Sequence, residues 1–220
     1  MSEIRTIRVT GKGKIRVRPD MTRITLSLEG VCPDYGLTLS ISASETELLK
    51  DLLSEFDFER SDLKTLNFRV DTKYERNRDT DKQHFVGYEY YHQMKVEFDS
   101  DNDRLGKLLY ALAHCPAKPE FRISYTVKDQ EAAKNELLGK AVADAKEKAV
   151  ILTQAAGVAL NAIKSIDYSW GQITFESRPV NGVFEAASYC SEEADSYDID
   201  IDPDDIEVSD TVTVIWEIGQ

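Results

Sequence analysis

The stretch from Asp129 to Ile166, DQEAAKNELLGKAVADAKEKAVILTQAAGVALNAIKSI, constrains the fold more than any other part of the sequence. Asp129 suits a helix N-cap, because its carboxylate can accept the free backbone N–H groups of the first turn. Gly157 can take the left-handed conformation that closes a helix. Between them Leu138, Ala141, Val142, Ala145, Ala149, Leu152 and Ala156 recur at three- and four-residue steps, which predicts one apolar face. Ala141, Ala145 and Ala149 are small at steps of four, so this helix is expected to lie close against a sheet or another helix. Asp144 and Lys148 read as its solvated face.

Elsewhere the dominant period is two, the signature of half-buried strands. Ile7, Val9, Gly11, Gly13, Ile15 and Val17 fall on one face, with Arg8, Lys12, Lys14, Arg16 and Arg18 on the other, and Pro19-Asp20 makes a turn. Ile24, Leu26 and Leu28 alternate with Arg23, Thr25, Ser27 and Glu29, and Leu66, Phe68, Val70 and Tyr74 continue the pattern. Over 85–98, Val86, Tyr88, Tyr90, Met94, Val96 and Phe98 share a face opposite Glu89, Gln93, Lys95 and Glu97. Phe121, Ile123, Tyr125 and Val127 form another set, and Ile206, Val208, Val212, Val214, Trp216 and Ile218 a last one.

Two further helices are expected. Residues 37–56 carry Leu48, Leu49, Leu52, Leu53 and Phe56, with a Ser44–Glu47 capping box midway. Thr38, Ser40 and Ile41 are poor helix formers in its first part. Residues 101–113 carry Leu105, Leu108, Leu109 and Leu112, and Pro116 ends that helix. The order β-β-α-β-β-α-β-α-β-loop-β predicts an α+β fold, with long antiparallel strands and three helices packed on the sheet. It fits a single domain over 1–220 or two βαβ-containing lobes. Residues 171–205 lack sustained periodicity and form an irregular acidic excursion, and a loop of that length is usually functional or mobile.

Charge separates the ends of the sequence. Ten acidic residues and no basic one lie within 192–210, which accounts for most of the net charge of −13. The first 23 residues instead carry seven Lys or Arg. The overall sign argues against binding nucleic acid or an anionic membrane surface. No run approaches the ~20 apolar residues of a membrane helix. MSEIRTIRVTGKGK has neither an apolar core nor a cleavage site, and Cys32, Cys115 and Cys190 form no paired spacing, so a cytoplasmic setting is expected.

Several segments together resemble the SIMPL-domain family, a largely bacterial group. They are Val9-Thr10-Gly11-Lys12-Gly13, Pro19-Asp20, Gly87-Tyr88, Leu105-Gly106-Lys107-Leu108, Ala141-Val142-Ala143-Asp144-Ala145 with Lys148-Ala149 and Ala155-Ala156-Gly157, and Ile206-Glu207-Val208 with Val212-Thr213-Val214. Their order and spacing over residues 5–218 carry the resemblance. It implies an α+β fold and, from some members, large ring-like homo-oligomers. It also implies a link to oxidative or envelope stress, and a eukaryotic namesake is a signalling adaptor. The family supplies no catalytic residues to carry over.

Read for chemistry, the residues assign no catalytic, cofactor-binding or metal-ligating position. Gly11-Lys12-Gly13-Lys14 lies between strands, whereas a phosphate loop leads into a helix, so the glycines are expected at a bulge or a close backbone approach. His92, on the apolar face of the 85–98 strand, is expected as a hydrogen-bonded core histidine, since no further ligand stands at a metal-binding spacing from it. His114-Cys115 sits at a helix C-terminus, which raises a thiol's pKa rather than activating it. Asp198, Asp200 and Asp202 resemble the start of a calcium loop, but Pro203 and Ser209 stand where that loop requires glycine and glutamate. The basic stripe Arg8, Lys12, Lys14, Arg16 and Arg18 is a solvated face or pairs with the acidic 192–210 segment.

The expectation is a non-enzymatic, self-assembling or adaptor-like protein, a homo-oligomer with the acidic loop as a surface for a protein partner. The alternatives are an enzyme whose site forms only on folding and an acidic divalent-cation binder.

Overall fold

The computed structural model of the chain describes residues 5–76, 82–168, 173–177 and 201–219. In sequence order its elements are β1 (Thr6–Val17), β2 (Met21–Cys32), α1 (Tyr35–Ser54), β3 (Lys64–Arg76), β4 (Gln83–Asp99), α2 (Asn102–Ala113), β5 (Glu120–Thr126), α3 (Gln130–Ala156), β6 (Ala159–Asp167) and β7 (Ile206–Gly219). This is the predicted order, and the class is α+β. What period-two patterns do not carry is how strands partition. Here β1-β7-β6 form one sheet and β3-β4-β2-β5 another.

Two compact units follow, one of Met1–Pro19, Thr126–Ser177 and Asp204–Gln220, the other of Asp20–Tyr125 and Arg178–Pro203. The second unit has the β-α-β-β-α-β order of a split, ferredoxin-like arrangement. Both β2 and β3 run antiparallel to β4, which lies between them. Ile24, Leu26 and Leu28 on β2 and Tyr90, Met94, Val96 and Phe98 on β4 form a core with Leu49 and Leu53 of α1 and Leu105, Leu108, Leu109 and Leu112 of α2. Each such side chain contributes roughly 1.5–3 kcal/mol by leaving water.

Helix α1 starts earlier than the capping-box reading places it. The Asp34 carboxylate accepts the Leu37 N–H at 2.9 Å, and Ser44 lies inside the helix. The hydroxyls that lower helix propensity are occupied locally: Thr38 donates to the Asp34 carbonyl at 2.8 Å and Ser40 to the Gly36 carbonyl at 3.0 Å. Thr38 and Ser42 are buried, so packing against the sheet overrides propensity.

Strand β4 carries a bulge. Lys73 opposes Gly87 but Tyr74 opposes Phe85, so Val86 is an extra residue and Phe85 takes the face that simple alternation assigns to Val86. Gly87 sits at φ 156°, and a β-carbon there would press on the backbone of Cys32, which makes glycine the residue that fits.

In the first unit β7 lies between β1 and β6. Helix α3 begins at Asp129, whose carboxylate accepts the Ala132 N–H at 2.8 Å, and closes at Gly157 with φ 67°. Its buried row is Ala133, Leu137, Ala141, Ala145, Ala149 and Thr153, all at steps of four. The predicted face was rotated slightly from this: Leu138 and Val142 are only partly buried, and Leu152 is 50% exposed. The reason is steric. A β-carbon on Gly11 would fall 2.7 Å from that of Ala145 and still closer to the Ala141 carbonyl, and one on Gly13 would meet the Leu137 carbonyl. The row of Leu137, Ala141 and Ala145 is the one that meets the glycines of β1. The expected close backbone approach at these glycines is therefore what the fold contains.

Asp144 is more than a solvated residue. Its carboxylate accepts the backbone N–H of Lys12 at 2.7 Å as well as Lys148 Nζ at 2.7 Å. Those bonds, Lys148 first and Lys12 second, hold its pKa below the ordinary value.

Candidate functional site

The groups with potential chemistry are dispersed. His92 points into the core of the second unit, where Nδ1 lies 3.1 Å from Thr46 Oγ1 and Nε2 3.0 Å from Thr65 Oγ1. Burial and then the Lys50 charge lower its pKa, so a neutral ring links α1 to the start of β3. This is the core histidine expected. His114 Nδ1 bonds the Tyr110 carbonyl at 2.8 Å and stacks on the Tyr110 ring, and His84 is exposed on β4. Cys32 and Cys115 are buried free thiols. Tyr90 donates to the Glu45 carboxylate, and burial followed by that bond raises its pKa. Cys190, Asp198 and Asp200 lie outside the described residues. Among the described residues no three His, Cys, Asp or Glu side chains gather into a group that could hold a metal ion.

The basic stripe finds acidic partners within its own unit. Glu207 stands opposite Arg16 in the β1–β7 ladder and takes Lys14 Nζ at 2.7 Å and Arg16 Nε at 3.0 Å. Hydrogen bonds from Lys14 and Arg16, with their charges, pull its carboxyl down to about 2. Arg8 reaches Asp167 at 3.9 Å. Of the two readings of the stripe, pairing holds for Lys14 and Arg16.

The surface that stands out lies on β3. Its apolar alternation suggests a half-buried strand, yet Leu66 is 50%, Phe68 45% and Tyr74 56% exposed. Helix α1 packs on β2 and β4, leaving the corresponding face of β3 open. The open strip continues as a ladder of aromatic rings. Tyr74 meets Phe85 edge to face with centroids 5.7 Å apart, Phe85 meets Tyr88 at 5.3 Å, and Tyr88 meets Tyr35 at 5.3 Å. The β4 bulge creates this ladder by turning Phe85 to the side of Tyr88. At the other end the Phe68 ring stands edge-on to His92, 5.1 Å away. Sequence reasoning missed this surface because alternation marks which side chains share a face, not whether a helix covers that face.

Gly11, Gly13, Gly87, Ala141, Ala145 and Gly157 occupy the positions where backbone approach, bulge and cap demand small residues. The model of one family, SIMPL, described as a protein of unknown function (DUF541), matches residues 7–216. The chain belongs to the SIMPL family. No curated protein matches it. In this SIMPL chain the motif residues build the scaffold: Gly11 and Gly13 receive α3, Gly87 sets the bulge, and Leu105 and Leu108 fill the core. No helix among the described residues is long and apolar enough to cross a membrane.

Proposed function

We propose that this SIMPL chain acts by association rather than catalysis, as a self-assembling or adaptor protein whose contact surface is the open face of β3. One observation carries the reading: Leu66, Phe68 and Tyr74 on β3, Phe85 on β4 and Tyr35 at the start of α1 expose apolar surface. Contiguous exposed apolar surface of this kind marks interaction sites on soluble proteins. The dispersal of His92, His114, Cys32 and Cys115 among separate structural roles supports the same reading.

The test is molar mass by light scattering across a concentration series. The wild-type chain is expected well above its 24.9 kDa monomer mass. Leu66→Asp combined with Tyr74→Ser is expected to return it toward the monomer. A wild-type chain that stays monomeric at every concentration sinks the self-assembling form of the proposal. The stress setting implied by the resemblance belongs to the same proposal, and unchanged survival of a deletion strain under oxidant would remove it.

A further inference from the structure

Strand β3 is open along its edge as well as its face. It reads KTLNFRVDTKYER, and β4 pairs with only one of its edges. Every residue of β3 is exposed except Val70 and Lys73, which are half-buried. An unpaired row of backbone N–H and C=O groups is a template for another strand unless it is blunted. The other edge strands are blunted. On β1 the Lys12 N–H is already bonded to Asp144. In β6 the register shifts twice within nine residues. β5 is only seven residues long, and its last four are buried. In β3 the extra residue is Leu66, whereas the shift at Lys73/Tyr74 comes from Val86 of β4, so β3 itself runs unbroken from Asn67 to Arg76.

That unbroken segment is self-complementary. Laid antiparallel on a second copy with Val70 opposite Val70, it sets Arg69 against Asp71 and Asp71 against Arg69, two reciprocal opposite-charge pairs. On the helix-side face Val70 then meets Val70 and Phe68 meets Thr72, and the extra residue Leu66 comes level with Tyr74, so the two exposed strips join. Centring on Asp71 instead opposes that carboxylate to itself and Arg69 to Lys73. Centring on Thr72 also opposes unlike charges, Asp71 to Lys73 and Arg69 to Glu75, but Lys73 is already held by Glu89 at 2.6 Å, and Phe68 then meets Arg76, which interrupts the apolar strip. Arg69 and Asp71 are each 63% exposed, and their contact within the chain is a loose 3.5 Å. Arg69 also stacks on the Tyr91 ring at 5.2 Å, and both charged groups stay exposed enough to face a neighbour.

The geometry points to a twofold dimer of this chain in which two β3 strands pair antiparallel about Val70, fusing two four-stranded sheets into one of eight strands. The interface is isologous, with the same patch on both copies, as closed twofold pairing requires. Main-chain bonds along β3 supply the attraction, the joined apolar strip buries surface and sets the register, and the Arg69–Asp71 pairs reinforce it. The inference rests on the proposed assembling role and specifies its first contact.

The experiment combines cysteine cross-linking with light scattering, in a Cys190→Ser background where Cys32 and Cys115 are buried. With a short thiol-to-thiol reagent, Val70→Cys is expected to give a covalent dimer and Thr72→Cys to give none. Asp71→Arg is expected to weaken dimerisation about tenfold, and Arg69→Asp with Asp71→Arg to restore it, because cross-strand charge pairs add or subtract at this scale. If Val70→Cys fails to cross-link, or Thr72→Cys links equally well, the pairing is overturned. If assembly nevertheless persists by light scattering, the associating role survives without it. A wild-type monomer at all concentrations overturns both the pairing and the self-assembling role.

Discussion

Gly11 lies so close to Ala145 that a β-carbon on the glycine would stand 2.7 Å from the alanine's own, and nearer still to the Ala141 carbonyl. The obstacle is largely helix backbone, which cannot rotate aside as a flexible side chain would. Gly11→Ala is therefore expected to destabilise the first unit by about 3 kcal/mol, at the upper end for overpacked sites. Chemical denaturation followed by circular dichroism measures this, and a loss below about 0.5 kcal/mol would contradict the packing.

Glu207 titrates with a defined sign. Its folded carboxyl is pulled to about 2 from an ordinary 4.5 by Lys14 and Arg16, so between those values the unfolded chain holds more protons than the folded one. The stabilising contribution is complete above about 4.5 and is lost as the pH falls toward 2. Glu207→Gln is expected to flatten the acid limb of the stability curve in that window. The group is exposed, so added salt should shrink the effect. A carboxyl titration by NMR checks the folded value directly.

For His92 the folded pKa lies below the ordinary 6.5, because the ring is buried and faces the Lys50 charge. Above 6.5 neither state is charged and nothing is lost. As the pH falls below 6.5 the unfolded chain takes up the proton first, and stability declines. His92→Gln is expected to remove that slope between pH 7 and 5, at some cost from the bonds to Thr46 and Thr65. A midpoint series in denaturant across those pH values would show an unchanged slope if the ring titrated normally.

Tyr125 presents the opposite case. Its hydroxyl is buried and has no hydrogen-bond partner among the described residues, and burial raises its pKa. An unsatisfied buried donor costs about 1–3 kcal/mol. Tyr125→Phe keeps the ring in the core and discards the orphan, so it is expected to leave stability unchanged or raise it by roughly 1 kcal/mol. A clear loss in thermal midpoint would mean the hydroxyl is engaged.

Patterns in the sequence report burial well and partnership poorly. Alternation over Ile24–Leu28 and Tyr90–Phe98 reads the inward faces correctly, because burial on one side of a pleated strand leaves a period of two. Val86 escapes that reading, since the bulge at Gly87 shifts the parity by one. The α3 face is rotated because Leu138 and Leu152 look more apolar than the alanines that contact β1. Asp144 resembles any solvated helix carboxylate until the Lys12 N–H is seen beside it. The openness of β3 depends on where α1 lies, and no local spacing encodes that.

The β1–β7 ladder pairs Thr6 with Glu217 and Val17 with Ile206. On a ribosome, β1 therefore emerges long before the strand that completes it, and the entire second unit is translated in between. A strand left waiting risks finding the wrong neighbour. Arg8, Lys12, Lys14 and Arg16, spaced along β1, keep one side of it charged through that interval. Synthesis from one end thus sets an order on folding: the split β-α-β-β-α-β unit can close its sheet while the first unit still waits for β7.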